Sequence, residues 1–143
     1  MRDMNTIAAL DIGSNAVRFL ICSIEESSDT KKCRKVAFLR VPVRLGEDVF
    51  TEGEISARRR MLLCEAMQGF SHLMKTFGVS EYRACATSSM REAKNGAEVL
   101  DEIREKSGIQ VEVISGLEEA EIIYAAGVSS AGSENWKDSL HVD

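Results

Sequence analysis

The sequence predicts an α/β domain in which helices cover the faces of a mixed sheet, and three observations carry that expectation. Two β-branched, apolar runs, Thr6 to Leu10 and Val17 to Cys22, flank the short link Asp11-Ile12-Gly13-Ser14-Asn15 and read as an antiparallel hairpin. From Ser56 the apolar period lengthens to three and four residues, which is the spacing of a helix face. Beyond Gly78, short apolar stretches alternate with helical ones, so the later strands return parallel. The expected order is βββαβαβα.

Each element has its own signal. Gly13 suits the hairpin link because it permits a φ that residues bearing a Cβ avoid. Glu25 to Lys32 is polar and is expected to form a loop, followed by a third strand over Val36 to Leu45. Pro42, the sole proline, has no amide to give a ladder and marks an edge strand or a strand end. Leu63, Ala66, Met67, Phe70, Leu73, Met74 and Phe77 form the apolar stripe of the long helix, which stops at Gly78. Tyr82 to Ala86 suits a buried strand and opens into Thr87 to Ala93, a polar turn or single helical turn. Asn95 and Glu98 resemble a capping pair for a helix closed by Gly108. Gln110 to Ile114 is a further strand, and Ser115-Gly116-Leu117-Glu118 has capping-box spacing for the last helix.

Composition bounds the function classes. With 143 residues, 44% apolar and 29% charged, the chain can bury one sizeable core. No run approaches a membrane span, and Met1 to Asn5 lacks a signal-peptide layout, so a cytoplasmic location is expected. Cys22, Cys33, Cys64 and Cys85 show no Cys-x-x-Cys pair, and His72 and His141 lack metal-ligand spacing. A net charge of minus five argues against a nucleic-acid footprint. Lys31, Lys32, Arg34 and Lys35, and separately Arg58, Arg59 and Arg60, form basic clusters whose plain reading is a solvated face.

Open α/β sheets bind ligands at the mouths of their strands. The loops Asp11 to Asn15, Thr87 to Arg91 and Ser115 to Glu119 all follow strands, and parallel strands would gather them at one edge. Backbone amides of Gly13, Ser14 and Asn15 can then converge on an anion, while Asp11 holds a divalent cation directly or through water. Arg91 offers a planar fork that matches phosphate oxygens, and Thr87, Ser88 and Ser89 supply hydroxyls. Glu118 and Glu119 are explicable as carboxylates at a helix start; in the functional reading Glu118 closes the capping box and Glu119 faces the cleft to activate water.

At these residues the chain resembles the Ppx/GppA phosphatases, the exopolyphosphatase and guanosine pentaphosphate phosphohydrolase family. The matching words are Asp11-Ile12-Gly13-Ser14-Asn15, Val43-Arg44-Leu45-Gly46, Ala86-Thr87-Ser88-Ser89-Met90-Arg91-Glu92-Ala93 with Asn95, and Ile114-Ser115-Gly116-Leu117-Glu118-Glu119-Ala120. The resemblance implies the ribonuclease H-like fold of the actin, Hsp70 and sugar kinase superfamily. It implies that Asp11 to Asn15 form the first phosphate loop, that Glu119 is the catalytic glutamate and that Arg91 contacts phosphate. Ala16 and Glu121 depart from the Ser and Arg of many relatives.

The resemblance further implies Mg²⁺ as cofactor and polyphosphate or guanosine pentaphosphate as substrate. Relatives continue into a second domain whose phosphate loop opens like His141-Val142-Asp143, so Asp143 joins Asp11 as an expected metal ligand. Residues 1–130 are then one half domain and 131–143, with Trp136, a linker into a carboxy-terminal domain that completes the cleft. On that expectation the 143-residue chain alone is poorly active. A homodimer is left open, as is the choice between the two substrates. A non-catalytic sensor of guanosine tetra- or pentaphosphate is the alternative, while the Thr87 and Ser115 words weigh against a phosphotransferase.

Overall fold

Alternation in the first two strands sets the core. Ala8, Leu10 and Ile12 lie opposite Ile21, Phe19 and Val17 in an antiparallel ladder, so all six side chains share one face, and all are buried. A computed structural model describes residues 4–27 and 30–129 of the chain. It contains β1 (Met4–Ile12), β2 (Val17–Ser27), β3 (Thr30–Val41), α1 (Leu45–Glu52), α2 (Ala57–Thr76), β4 (Glu81–Ala86), α3 (Ser88–Glu92), α4 (Gly96–Ser107), β5 (Glu112–Val113) and α5 (Gly116–Ser129). The sheet order is β3-β2-β1-β4-β5. β2 runs antiparallel to β1 and β3, whereas β1, β4 and β5 are parallel.

The apolar stripe of α2, Leu63, Met67, Phe70 and Met74, covers the β1/β2 face together with Val99 and Ile103 of α4. Phe19 and Phe70 stack with centroids 4.6 Å apart. Such a ring pair adds about 0.5–1.5 kcal/mol beyond the area it removes from water. Ser56 caps α2 by accepting the Arg59 amide at 3.3 Å, and Gly78, at φ 67°, takes the chain out of the helix toward β4.

The mixed α/β architecture is the expected one, with three differences in detail. The stretch Glu25 to Lys32 is not a simple loop: β2 and β3 continue as a ribbon in which Glu25 lies opposite Lys32 and Glu26 opposite Lys31, the latter pair 3.4 Å apart. Opposite charges hold this segment, so it lacks the apolar alternation that marks a strand in sequence. The third strand ends at Val41, just before Pro42, and α1 follows where the expected strand would have continued to Leu45. Arg44, the residue that opens α1, takes the left-handed conformation at φ 59°. The expected strand over Gln110 to Ile114 shortens to Glu112–Val113. The stretch 131–143, with Trp136 and Asp143, lies outside the described residues. Among the described residues no helix is long and apolar enough to cross a membrane.

Candidate active site

Parallel pairing gathers three loops at one edge. Ile12 lies beside Ala86, and Ala86 beside Val113, so β1, β4 and β5 end level with one another. The Thr87 amide still reaches the Ile12 carbonyl at 3.3 Å, and the Ile114 amide reaches the Ala86 carbonyl at 3.0 Å. The first residues of each following loop therefore start from a common rim.

The first loop is a tight link whose ends are closed by the Gly13 amide donating to the Ala16 carbonyl at 3.0 Å. That bond corrects the expectation of three converging amides, because the Gly13 donor is already used. Nor does Gly13 adopt a positive φ. The Ser14 and Asn15 carbonyls accept from Gly46 and Arg44, each at 2.9 Å. Both carbonyls thus face α1, and the Ser14 and Asn15 amides have no acceptor among the described residues. The Val43-Arg44-Leu45-Gly46 word now has a physical reason. A Cβ on Gly46 would stand 3.0 Å from the Ser14 Cβ and 3.3 Å from its carbonyl oxygen, so glycine lets α1 sit against the loop.

Three of the expected phosphate ligands meet. The Ser89 hydroxyl donates to Ser14 Oγ at 2.7 Å, and Ser88 Oγ lies 3.1 Å from the same atom. Thr87 and Ser89 are buried beside them at the start of α3. Arg91, on the same short helix, turns to the third loop and donates through Nη1 to the Ile114 carbonyl at 2.6 Å. A guanidinium carries five N–H donors, so this bond leaves the rest of the fork able to donate elsewhere. Glu98 pairs with Arg60 at 3.6 Å.

Ser115 caps α5 by accepting the Glu118 amide at 3.0 Å. The returning half of the capping box, from the Glu118 carboxylate to Ser115, is not formed among the described hydrogen bonds, so the box does not separate the two glutamates as expected. Burial separates them instead: Glu118 is exposed, whereas Glu119, with its amide on the Ser115 carbonyl at 2.9 Å, is half-buried. The Cys85 thiol, next to Asp11 in the β1/β4 ladder, is pushed up by burial, while Arg83 pulls it down and the charges of Glu112, Asp11 and Glu118 add to the rise. The Cys85 thiol thus lies within reach of both the Asp11 and the Glu118 charges.

Sequence reasoning missed Arg18. It stands opposite Asp11 in the β1/β2 ladder, its Nε 3.9 Å from the carboxylate, and its side chain is only 16% exposed. The signal was the antiparallel register, which pairs the last acidic residue of one strand with the first basic residue of the next. The Asp11 side chain is 33% exposed. No group of three or more candidate ligands occurs among the described residues. Asp143 lies outside the described residues.

The second basic cluster is not simply solvated. Arg59 bridges Glu47 at 2.9 Å and Asp48 at 3.5 Å and donates to the Arg44 carbonyl, and Arg60 bonds Glu102. These residues tie α2 to α1 and α4. Asn95 does not cap α4 with its side chain either; its amide group brackets the Ile55 peptide, accepting from the amide and donating to the carbonyl, both at 2.9 Å.

A five-stranded sheet of this order, with a hairpin loop and two helix-bearing loops at the mouths of its parallel strands, defines a ribonuclease H-like domain of the actin type. The chain belongs to the Ppx/GppA phosphatase family, whose model matches residues 23–143. It is 26% identical over 120 residues to exopolyphosphatase 1 of Mycobacterium tuberculosis, covering 84% of this chain and 34% of that protein. The Aquifex aeolicus member of the Ppx/GppA family superposes with a TM-score of 0.81 at 27% identity, over 90% of this chain and 40% of that one. An exopolyphosphatase from Cytophaga hutchinsonii gives 0.75 at 26% identity, over 84% and 37% of the two chains. The chain thus spans about a third of the length of the curated relatives it matches.

Proposed function

We propose that this chain forms the first half of the cleft of a cytoplasmic hydrolase that releases the terminal phosphate of inorganic polyphosphate or guanosine pentaphosphate. The observation that carries the reading is the meeting of Ser14 with Ser88 and Ser89, residues more than seventy positions apart, at the mouths of the parallel strands. Family membership and the exopolyphosphatase relatives support the same chemistry.

In this reading the Ser14 and Asn15 amides and the hydroxyls around them bind the terminal phosphate. Thr87 lies within the same wall. Glu119 takes a proton from the attacking water as its oxygen bonds to the terminal phosphorus; the bridging P–O bond breaks, and orthophosphate leaves a chain one unit shorter. The Arg91 fork, braced on Ile114, faces the charge that develops on the phosphoryl oxygens. Asp11 would hold Mg²⁺ through water, and the ion would supply charge neutralisation at the phosphates. A second domain of the kind found in longer relatives would close the cleft and exclude water. Without it the transition state would lack donors on one side, so the 143-residue chain alone would turn over slowly.

Phosphate release from both substrates, assayed side by side on the full-length protein with and without Mg²⁺, tests this. Mg²⁺-dependent release supports the hydrolase and ranks the substrates. Nucleotide binding with no release from either substrate would select the sensor instead.

A further inference from the structure

On the sheet face opposite the α2/α4 core, an apolar groove is lined by Ile7, Ala9, Leu20, Cys22, Ile24 and Cys33. Two of these are thiols. Cys22 lies opposite Lys35 and Ile24 lies opposite Cys33, so the two cysteines are diagonal neighbours on one face of the β2/β3 ladder. Cys33 lies close enough to Cys22 to help raise its thiol. Cys22 is 3% exposed, and Cys33 is half-buried.

We infer that Cys22 and Cys33 form a modification site, converted by a peroxide into an intramolecular disulfide that staples the edge strand β3 to β2. Diagonal neighbours across an antiparallel pair have Cα atoms about 7–8 Å apart, whereas a disulfide spans about 4.4–6.8 Å. Closing the bond therefore needs a slide of roughly 1 Å between the strands. Two features of the fold allow it. β3 is the outer strand and is hydrogen-bonded on one side only. The ladder is also irregular between Ile21 and Cys22, where the register shifts beside the thiol that must move.

Cys33, the more accessible thiol, reacts first: its sulfur bonds to one peroxide oxygen, the O–O bond breaks, and the other oxygen leaves as water. Cys22 then attacks the sulfenyl sulfur; the S–S bond forms, the S–O bond breaks, and a second water departs with the Cys22 proton. Two thiols and one peroxide give one disulfide and two waters. The order of events agrees with the Cys22 environment, where burial first and the neighbouring Cys33 second push the thiol up to about 12.

The reduced full chain treated with hydrogen peroxide and examined by mass spectrometry without reductant tests the site. Trypsin cuts at Lys31 and Lys32 between the two cysteines, so a disulfide appears as two joined peptides. The expected product has lost two hydrogens, joins the Cys22 and Cys33 peptides, and is reversed by dithiothreitol. Cys33→Ser, a change at a half-buried edge position, should abolish it, while Cys85→Ser should leave it intact. Circular dichroism of each variant confirms folding. Oxygen addition to Cys33 with Cys22 still a free thiol, or a linkage only between separate chains, would overturn the proposal.

Discussion

The Ser89 hydroxyl donates to the Ser14 hydroxyl at 2.7 Å, across a separation of 75 residues in sequence. Ser89 is 1% exposed and Ser14 half-buried, and their bond fixes the first loop against the start of α3. A hydrogen bond of this kind contributes about 1 kcal/mol to stability. Ser14→Ala should therefore lower the unfolding free energy by about 1 kcal/mol, a modest loss. In the full-length protein it should raise KM for polyphosphate several-fold. Calorimetry and steady-state kinetics on the same variant check both parts, and a change in stability with unaltered KM would confine Ser14 to the scaffold.

Two glycines make close approaches of different severity. A Cβ on Gly46 would meet Ser14 at 3.0 Å, whereas one on Gly96 would stand 2.4 Å from the Met90 carbonyl oxygen. Backbone cannot swing aside as a long side chain can. Gly96→Ala should cost about 3 kcal/mol, at the upper end for overpacking, and Gly46→Ala about 1 kcal/mol. Denaturant midpoints of the two variants should fall in that order. The Gly46 change should in addition weaken phosphate binding, since it presses on the first loop, and Gly96→Ala should not.

Asn95 holds the Ile55 peptide by both its amide and its carbonyl, and Ile55 is buried. Removing the side chain leaves a buried donor and acceptor without partners, which costs about 1–3 kcal/mol for each group. Asn95→Ala should lower the melting temperature clearly. Asn95→Asp, which keeps the acceptor for the Ile55 amide but loses the donor, should fall between the variant and the parent.

The Asp48 carboxyl supplies the pH dependence. Burial acts to raise it, but hydrogen bonds from the Ser56 side chain and amide and the Arg59 charge outweigh burial and hold it below the ordinary 3.8. A carboxyl depressed in the folded state stabilises fully above its unfolded value and loses that contribution as pH falls through the lower folded value. Urea midpoints measured from about pH 6 down to about pH 3 should decline more steeply for the parent than for Asp48→Asn. Equal slopes would remove Asp48 from the acid response.

Much of this arrangement was legible because local signals and tertiary structure agree. The first hairpin, α2, β4 and the Ser115 cap of α5 all follow from periodicity and capping chemistry. The convergence of the three loops followed from parallel strand order alone. What escaped was set by distant partners. Val41, Val43 and Leu45 alternate like a strand, yet Arg44 turns left-handed and α1 begins, because the carbonyls of Ser14 and Asn15 receive the amides of Gly46 and Arg44. Asn95 sits where a cap belongs but bonds Ile55, forty residues away. The Asp11–Arg18 pair needed the hairpin register before it could be seen.

The central claim is that Glu119, at the start of α5, is the base that activates water at the rim shared by Ser14 and Ser89. Phosphate release from polyphosphate by the full-length protein, with Glu119→Gln and Glu118→Gln compared with the parent, tests it most directly. The account predicts that Glu119→Gln lowers kcat by orders of magnitude with little change in polyphosphate binding, while Glu118→Gln stays within a few-fold of the parent. An unchanged kcat in Glu119→Gln, or the larger loss in Glu118→Gln, would contradict it.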